Sequence, residues 1–139
     1  MEEKRFDEWN GHKKRIHVTG RLPWISEREV WWVAVGENVG IEINGKNADF
    51  ARPAIILRKL GVHGAMVVPL TSQPKEGNWY VKFVFLNKNQ YAVLAQAKCI
   101  SSKRLYRRMG ELPENDLNAV REGFVKLYGE KIPSPREER

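Results

Sequence analysis

Apolar residues along this 139-residue chain follow two different rhythms. In the middle they come in short runs: Val30-Trp31-Trp32-Val33-Ala34-Val35, Ala54-Ile55-Ile56-Leu57-Arg58, Ala65-Met66-Val67-Val68-Pro69-Leu70, Tyr80-Val81-Lys82-Phe83-Val84-Phe85 and Tyr91-Ala92-Val93-Leu94. Each is rich in β-branched or aromatic residues and bounded by Gly, Asn, Lys or Pro, the signature of strands joined by turns. Five strands within about seventy residues predict a small, strongly bent sheet or barrel. At the two ends the spacing is helical. Residues 5–17 place Phe6, Trp9 and Ile16 on one face among Lys and Arg, although Gly11 weakens the helix. Leu117, Val120, Phe124 and Leu127 form a second stripe, begun by Pro113-Glu114-Asn115-Asp116 and stopped at Gly129. The expected class is therefore mainly β with helices (α+β), one domain over residues 1–130. Within it the barrel covers 28–112 and the C-terminal helix 114–128. Residues 131–139 have little to bury and are expected to form a disordered tail.

The run Val30 to Val35 is apolar on both faces of a strand. One face fills the sheet interior; a helix or a second copy of the chain must cover the other. A homodimer is the expectation, with the N-terminal helix as the competing cover.

Charge narrows the choice of partner. Lys and Arg number 24 against 17 Asp and Glu, a net charge of +7. Such a balance serves either solubility or a polyanionic partner. Lys98, Lys103, Arg104, Arg107 and Arg108 lie in one short segment without an acidic residue. That clustering predicts a positive stripe able to follow an RNA backbone. Trp24 and Trp79 stand at loop edges, where an aromatic ring can stack on an unpaired base. No apolar run is long enough to span a membrane, and no signal-peptide core follows Met1. Cys99 is the sole cysteine, which points to a reducing, cytoplasmic home. His12, His17 and His63 lack metal-ligand spacing, so neither a metal nor another cofactor is implied.

Candidate chemistry gathers at strand ends. Arg52 precedes Pro53, which drives it into extended backbone at a strand rim. Pro69 implies an edge or bulge just before Thr71, and strand parity turns Thr71 away from the face that Val68 and Leu70 bury. Glu42 sits between Ile41 and Ile43 in a glycine-rich loop. An acid, a guanidinium and a hydroxyl are the groups a metal-free ribonuclease needs: a base for the 2′-hydroxyl, a cation for the growing charge, and an orienting donor. Each also has a plain structural reading. Arg52 can be a surface arginine, Thr71 can bond its own backbone, and Glu42 can be a salt-bridge partner.

Taken in order, Val30-Trp31-Trp32-Val33, Gly36-Glu37-Asn38-Val39-Gly40-Ile41-Glu42, Arg52-Pro53-Ala54-Ile55-Ile56-Leu57, Val68-Pro69-Leu70-Thr71-Ser72 and Leu94-Ala95-Gln96-Ala97-Lys98 with Ser102-Lys103-Arg104-Leu105 resemble the MazF/PemK toxins. The resemblance spans roughly residues 28–128. It implies an SH3-like barrel with a C-terminal helix, a homodimer, and the toxin half of a type II toxin–antitoxin pair. It further implies a sequence-selective, metal-independent endoribonuclease acting on single-stranded RNA and restrained by an acidic antitoxin. Arg52 and Thr71 match the family's active-site arginine and threonine, Glu42 its loop glutamate, and Gln96 a glutamine of the later strand. Two departures stand out: a longer connection from Glu42 to Arg52, and the extra N-terminal helix. The competing functions are a non-catalytic inhibitor of DNA gyrase like the related CcdB toxins, and an RNA-binding barrel without activity.

Overall fold

The computed structural model describes residues 3–130. Seven antiparallel strands and two helices follow the chain as α1 (Phe6–Val18), β1 (Glu29–Ala34), β2 (Ala51–Leu60), β3 (Gly64–Thr71), β4 (Tyr80–Phe85), β5 (Lys88–Val93), β6 (Lys98–Ser101), β7 (Leu105–Glu111) and α2 (Glu114–Gly129). Single 3-10 turns at Leu94–Gln96 and Ser102–Arg104 flank β6. The five expected strands are present, with β2 and β5 longer than their apolar runs. Two more, β6 and β7, occupy the basic segment. The expected tail at 131–139 lies outside the described residues.

The strand order β4-β5-β3-β2-β1-β7 makes β3 the pivot, because β6 also pairs with β3. Along one edge, Gly64 to Val67 pair with β6, whereas Leu70 and Thr71 pair with β5. Val68 and Pro69 lie in the gap between these two ladders. Proline has no N–H to donate, so the change of partner falls where the ladder can spare a bond. The other edge of β3 pairs with β2 from Gly64 to Pro69, with Ala54 opposite Pro69 and an irregularity between Ile56 and Arg58.

β6 and β7 are joined by only one turn, yet they pair with β3 and β1, at opposite edges of the same sheet. The sheet must curl until those edges approach, giving a small barrel-like body. Ile25, Trp31, Val33, Ile56, Val67, Ile100 and Leu105 fill one face of the curl. Val30, Ile55, Leu57, Val68, Leu70, Phe83 and Phe85 fill the other, capped by Leu117 and Val120 of α2. Phe124 and Leu127 continue that stripe as partly buried residues.

β1 is accordingly covered on both faces within a single chain. Trp31 and Val33 face one core, Val30 the other, and Ala34 packs with Trp9 and Phe50. A second copy is therefore not needed to cover this strand: the curl of the sheet, α2 and, at Ala34, Trp9 of α1 supply the cover. On α1 only Trp9 is fully buried; Ile16 is partly buried and Phe6 is largely exposed. Gly36 makes this docking possible. It adopts φ +91°, and a Cβ there would overlap the Trp9 ring.

Candidate active site

Arg52 and Thr71 are brought together. Both line a cleft of about 300 Å³ with Trp32, Lys46, Lys88 and Gln90, over an apolar floor that includes Pro53, Leu70 and Phe85. Arg52 lies at the start of β2, opposite Val33 of β1. Its Nε donates to the Asn44 carbonyl oxygen at 2.8 Å and its Nη1 to the Leu70 carbonyl oxygen at 3.4 Å. These two bonds fix the plane of the guanidinium, and among the described residues Nη2 makes no hydrogen bond. Burial pushes the guanidinium below its ordinary pKa. Among the described residues no carboxylate lines the cleft, although Asp49 lines the adjoining recess and Arg52 makes no ion pair. A half-buried cation without an ion-pair partner is electrostatically underpaid, and an anionic ligand would relieve it.

Thr71 is the last residue of β3, opposite Tyr91. Its Oγ1 accepts a hydrogen bond from the Gln73 N–H at 3.2 Å. That is the local turn bond of a strand-ending threonine, and it leaves the hydroxyl proton free to be donated into the cleft. The structural and chemical readings of Thr71 are compatible.

Glu42 is not with them. It is exposed, and its Oε1 accepts from the Val39 N–H at 2.9 Å. It lines a separate recess with Gln96 and Lys98. The reason lies in the loop from Gly36 to Phe50. Asn38 Nδ2 donates to the Val35 and Ile43 carbonyls at 3.1 and 2.8 Å, and Gly45 N–H donates to the Gly36 carbonyl at 2.7 Å. The loop therefore curls back on itself and turns Glu42 away from Arg52. Gln96 secures the same curl: its Oε1 accepts from the Ile43 N–H at 3.2 Å and its Nε2 donates to the Ile41 carbonyl at 3.1 Å.

The basic stripe divides by role. Arg104 donates to the Ala34 carbonyl at 3.0 Å and lies over the Trp9 ring. Burial pushes its guanidinium below the ordinary value. Lys103 Nζ donates to the His17 carbonyl at 2.8 Å, closing the C-terminal end of α1. Arg108 is paired with Glu29 at 2.7 Å and lies 3.6 Å from Glu111. Lys98 and Arg107 remain on the surface. Arg107 lies over Trp32 and lines a small recess that shares Trp32, Lys46, Asn47 and Ala51 with the cleft. Trp79 is exposed but sits just before β4, at the opposite end of the β4–β5 hairpin from the cleft residues Phe85 and Lys88.

Sequence reasoning missed Trp32, Lys46, Lys88 and Gln90. Trp32 had a signal: alternation along β1 puts it on the opposite face from Trp31, so the two tryptophans could not both enter one core. Lys46 lies in an isolated bridge with Ala51, and Lys88 and Gln90 on the polar first half of β5, where pattern carries no information about a distant partner. Among the described residues, no three His, Cys, Asp or Glu side chains form a group able to hold a metal ion, and no helix is long and apolar enough to cross a membrane.

A curled antiparallel sheet with a C-terminal helix is a fold shared with solved toxin structures. The fold matches toxin MazF-mt6 of Mycobacterium tuberculosis at a TM-score of 0.57 and 18% identity, covering 76% of this chain and 100% of that one. It matches MazF of Deinococcus radiodurans at 0.61 and 19%, covering 78% and 100%. An endoribonuclease from a mycobacterial species, solved in complex with its cognate antitoxin, matches at 0.62 and 14%, covering 79% and 100%. Comparison with curated proteins found no match. The family model for PemK-like, MazF-like toxins of type II toxin–antitoxin systems matches residues 26–128, and the chain belongs to that family. The match begins after α1, so that helix lies outside the shared region.

Proposed function

We propose that the chain is a metal-independent endoribonuclease that cuts single-stranded RNA, and the toxin of its pair. The observation that carries this reading is the meeting of Arg52 and Thr71 in a cleft lined by Lys46 and Lys88 and, among the described residues, by no carboxylate. A phosphodiester seated there meets a guanidinium whose free edge faces outward and a hydroxyl with a proton to donate. The 2′-oxygen attacks phosphorus, the bond to the 5′-oxygen breaks, and a 2′,3′-cyclic phosphate forms. The 2′-hydroxyl proton leaves to solvent, and the departing 5′-oxygen takes one up from solvent or a lining ammonium. Arg52 stabilises the charge that grows on the phosphorane oxygens, and Thr71 holds a non-bridging oxygen. Glu42 stands outside this cleft, so the proton is not routed through it. Trp32, in the cleft wall, supplies the ring on which a neighbouring base stacks, and Arg107 extends the phosphate track beyond it.

Incubation with mixed-sequence RNA in EDTA tests the chemistry. Fragments should carry 5′-hydroxyls and cyclic or 3′-phosphates; 3′-hydroxyl ends, or a strict need for magnesium, would overturn it. The same basic surface suits an acidic antitoxin segment that folds on binding and covers the cleft. Co-expression of the neighbouring small open reading frame should relieve growth inhibition. Homodimerisation enters this reading from the family resemblance, and it uses a surface other than the covered β1.

A further inference from the structure

Apart from the Arg52 cleft, a groove of about 590 Å³ lies where α1 rests on the turn Ser102–Arg104. Two aliphatic side chains line it, the partly buried Ile16 and Val18, which is 80% exposed and covered by nothing in the described chain. Its rim is cationic, from Lys13, Lys14, Lys103 and Arg104, and among the described residues no carboxylate lines it. The positive charges crowd one another. Burial and the charges of Arg104 and Lys13 push the nearby Lys98 amine below its ordinary pKa, against the opposite pull of Glu42. Neither wall of the groove is loose, since Arg104 is bonded to β1 and Lys103 to the end of α1.

We propose that this groove is a docking site for an acidic peptide segment carrying a branched aliphatic side chain, with the aliphatic group on Ile16 and Val18 and the carboxylates on the lysine rim. Charge complementarity selects an anion, and the exposed valine selects among anions. A nucleic-acid backbone gains nothing from aliphatic side chains, and Trp9, the one large aromatic in the groove, is buried beneath Arg104 and unable to stack on a base. The groove is made by a helix that precedes the region shared with the family. One wall of the groove thus lies outside the matched region and the other, Ser101 to Arg104, inside it, and the groove is separate from the Arg52 cleft.

The test is direct binding, independent of RNA cleavage. A fluorescein-labelled peptide alternating Glu and Leu is titrated against the full chain, beside polyglutamate of equal length and a single-stranded oligonucleotide with uncleavable 2′-O-methyl riboses. The Glu–Leu peptide should bind saturably, at least about tenfold more tightly than polyglutamate, and weaken as salt rises. Lys13→Glu with Lys14→Glu, both exposed positions, should cost about tenfold or more in affinity. Val18→Ser should abolish the preference for the leucine-bearing peptide. Equal binding of the two peptides, or undiminished binding by the double lysine variant, overturns the proposal. So does an oligonucleotide whose affinity drops with the double variant while the peptide's does not, because the groove would then be a nucleic-acid surface.

Discussion

Arg52 donates through Nε to the main-chain oxygen of Asn44, so the residue that faces the cleft also fastens the end of the loop beside it. Arg52→Ala removes both contributions at once. The loss of a transition-state cation in a half-buried site should cost about 3–4 kcal/mol, a rate loss on the order of a hundredfold to a thousandfold. Arg52→Lys keeps the charge but lacks the planar fork that reaches a carbonyl and a phosphate together. It should recover only a minor part of the rate. Single-turnover cleavage in EDTA, after circular dichroism shows an intact fold, measures both; a wild-type rate for Arg52→Ala would remove Arg52 from the mechanism.

Thr71→Ala should resemble Arg52→Ala in kind, lowering turnover more than affinity, because in the proposed mechanism the hydroxyl meets the reacting phosphate. Thr71→Ser keeps both the bond from Gln73 and the free proton and should retain most activity. A kcat-against-KM comparison of the two variants separates this from a turn defect, which would affect serine less than alanine only through stability.

Arg104 and Arg107 are three residues apart and should behave oppositely. Arg104→Ala strands the Ala34 carbonyl and uncovers Trp9, for a stability loss of about 1–3 kcal/mol in urea unfolding. Arg107→Ala leaves the fold alone, weakens RNA binding, and lowers the slope of log affinity against log salt by about one. An unchanged salt slope would take Arg107 off the RNA track.

Gln96→Ala deletes the two bonds that hold Ile41 and Ile43. Amide hydrogen exchange should accelerate at Ile43 and its neighbours while the central strands stay protected. If exchange is unchanged and RNA affinity collapses instead, Gln96 is a substrate contact, as the family resemblance implies, and not a loop tether.

Glu29 sets an acid limit on stability. Burial alone would raise its carboxyl pKa, but hydrogen bonds from Arg108, Ser26 and Trp31 outweigh that and hold it below the ordinary value of about 4.5. A depressed folded-state value means the contribution is fully present above the unfolded pKa and is lost as pH falls through the folded one. Stability should therefore be level from neutral pH to about pH 5 and then fall. Glu29→Gln should be less stable at neutral pH and show a shallower acid decline, read by urea midpoints from pH 7 to pH 3.

The strands with apolar alternation and both helices were legible because burial imposes its period on sequence. β6 and β7 were not. On Lys98–Ser101 only Ile100 is buried, and on Leu105–Glu111 only Leu105; each strand is held mainly by its ladder and leaves its charges outside, so the segment reads as a basic surface. For the site, backbone rules at Pro53 and Pro69 located Arg52 and Thr71, since proline acts locally. Glu42 was misplaced because its direction is decided by Asn38, which bridges Val35 and Ile43. No periodicity announces a side chain that ties a loop to itself. The basic stripe was visible, but charge in sequence cannot distinguish Arg107 on the surface from Arg104 under a helix.

The divided edge of β3 has a bearing on fidelity of assembly. A slip of one residue along this strand would turn Thr71 into the core and Leu70 out toward solvent. In most sheets such an error has to defeat two ladders; here it must break pairing with β2, β5 and β6 together. The unpaired step at Val68 and Pro69 also gives the two half-edges separate registers, so neither can shift to accommodate the other. The side to which Thr71 points is thus set by three neighbouring strands, one through its own pairing with Tyr91 and two through the register of the rest of β3.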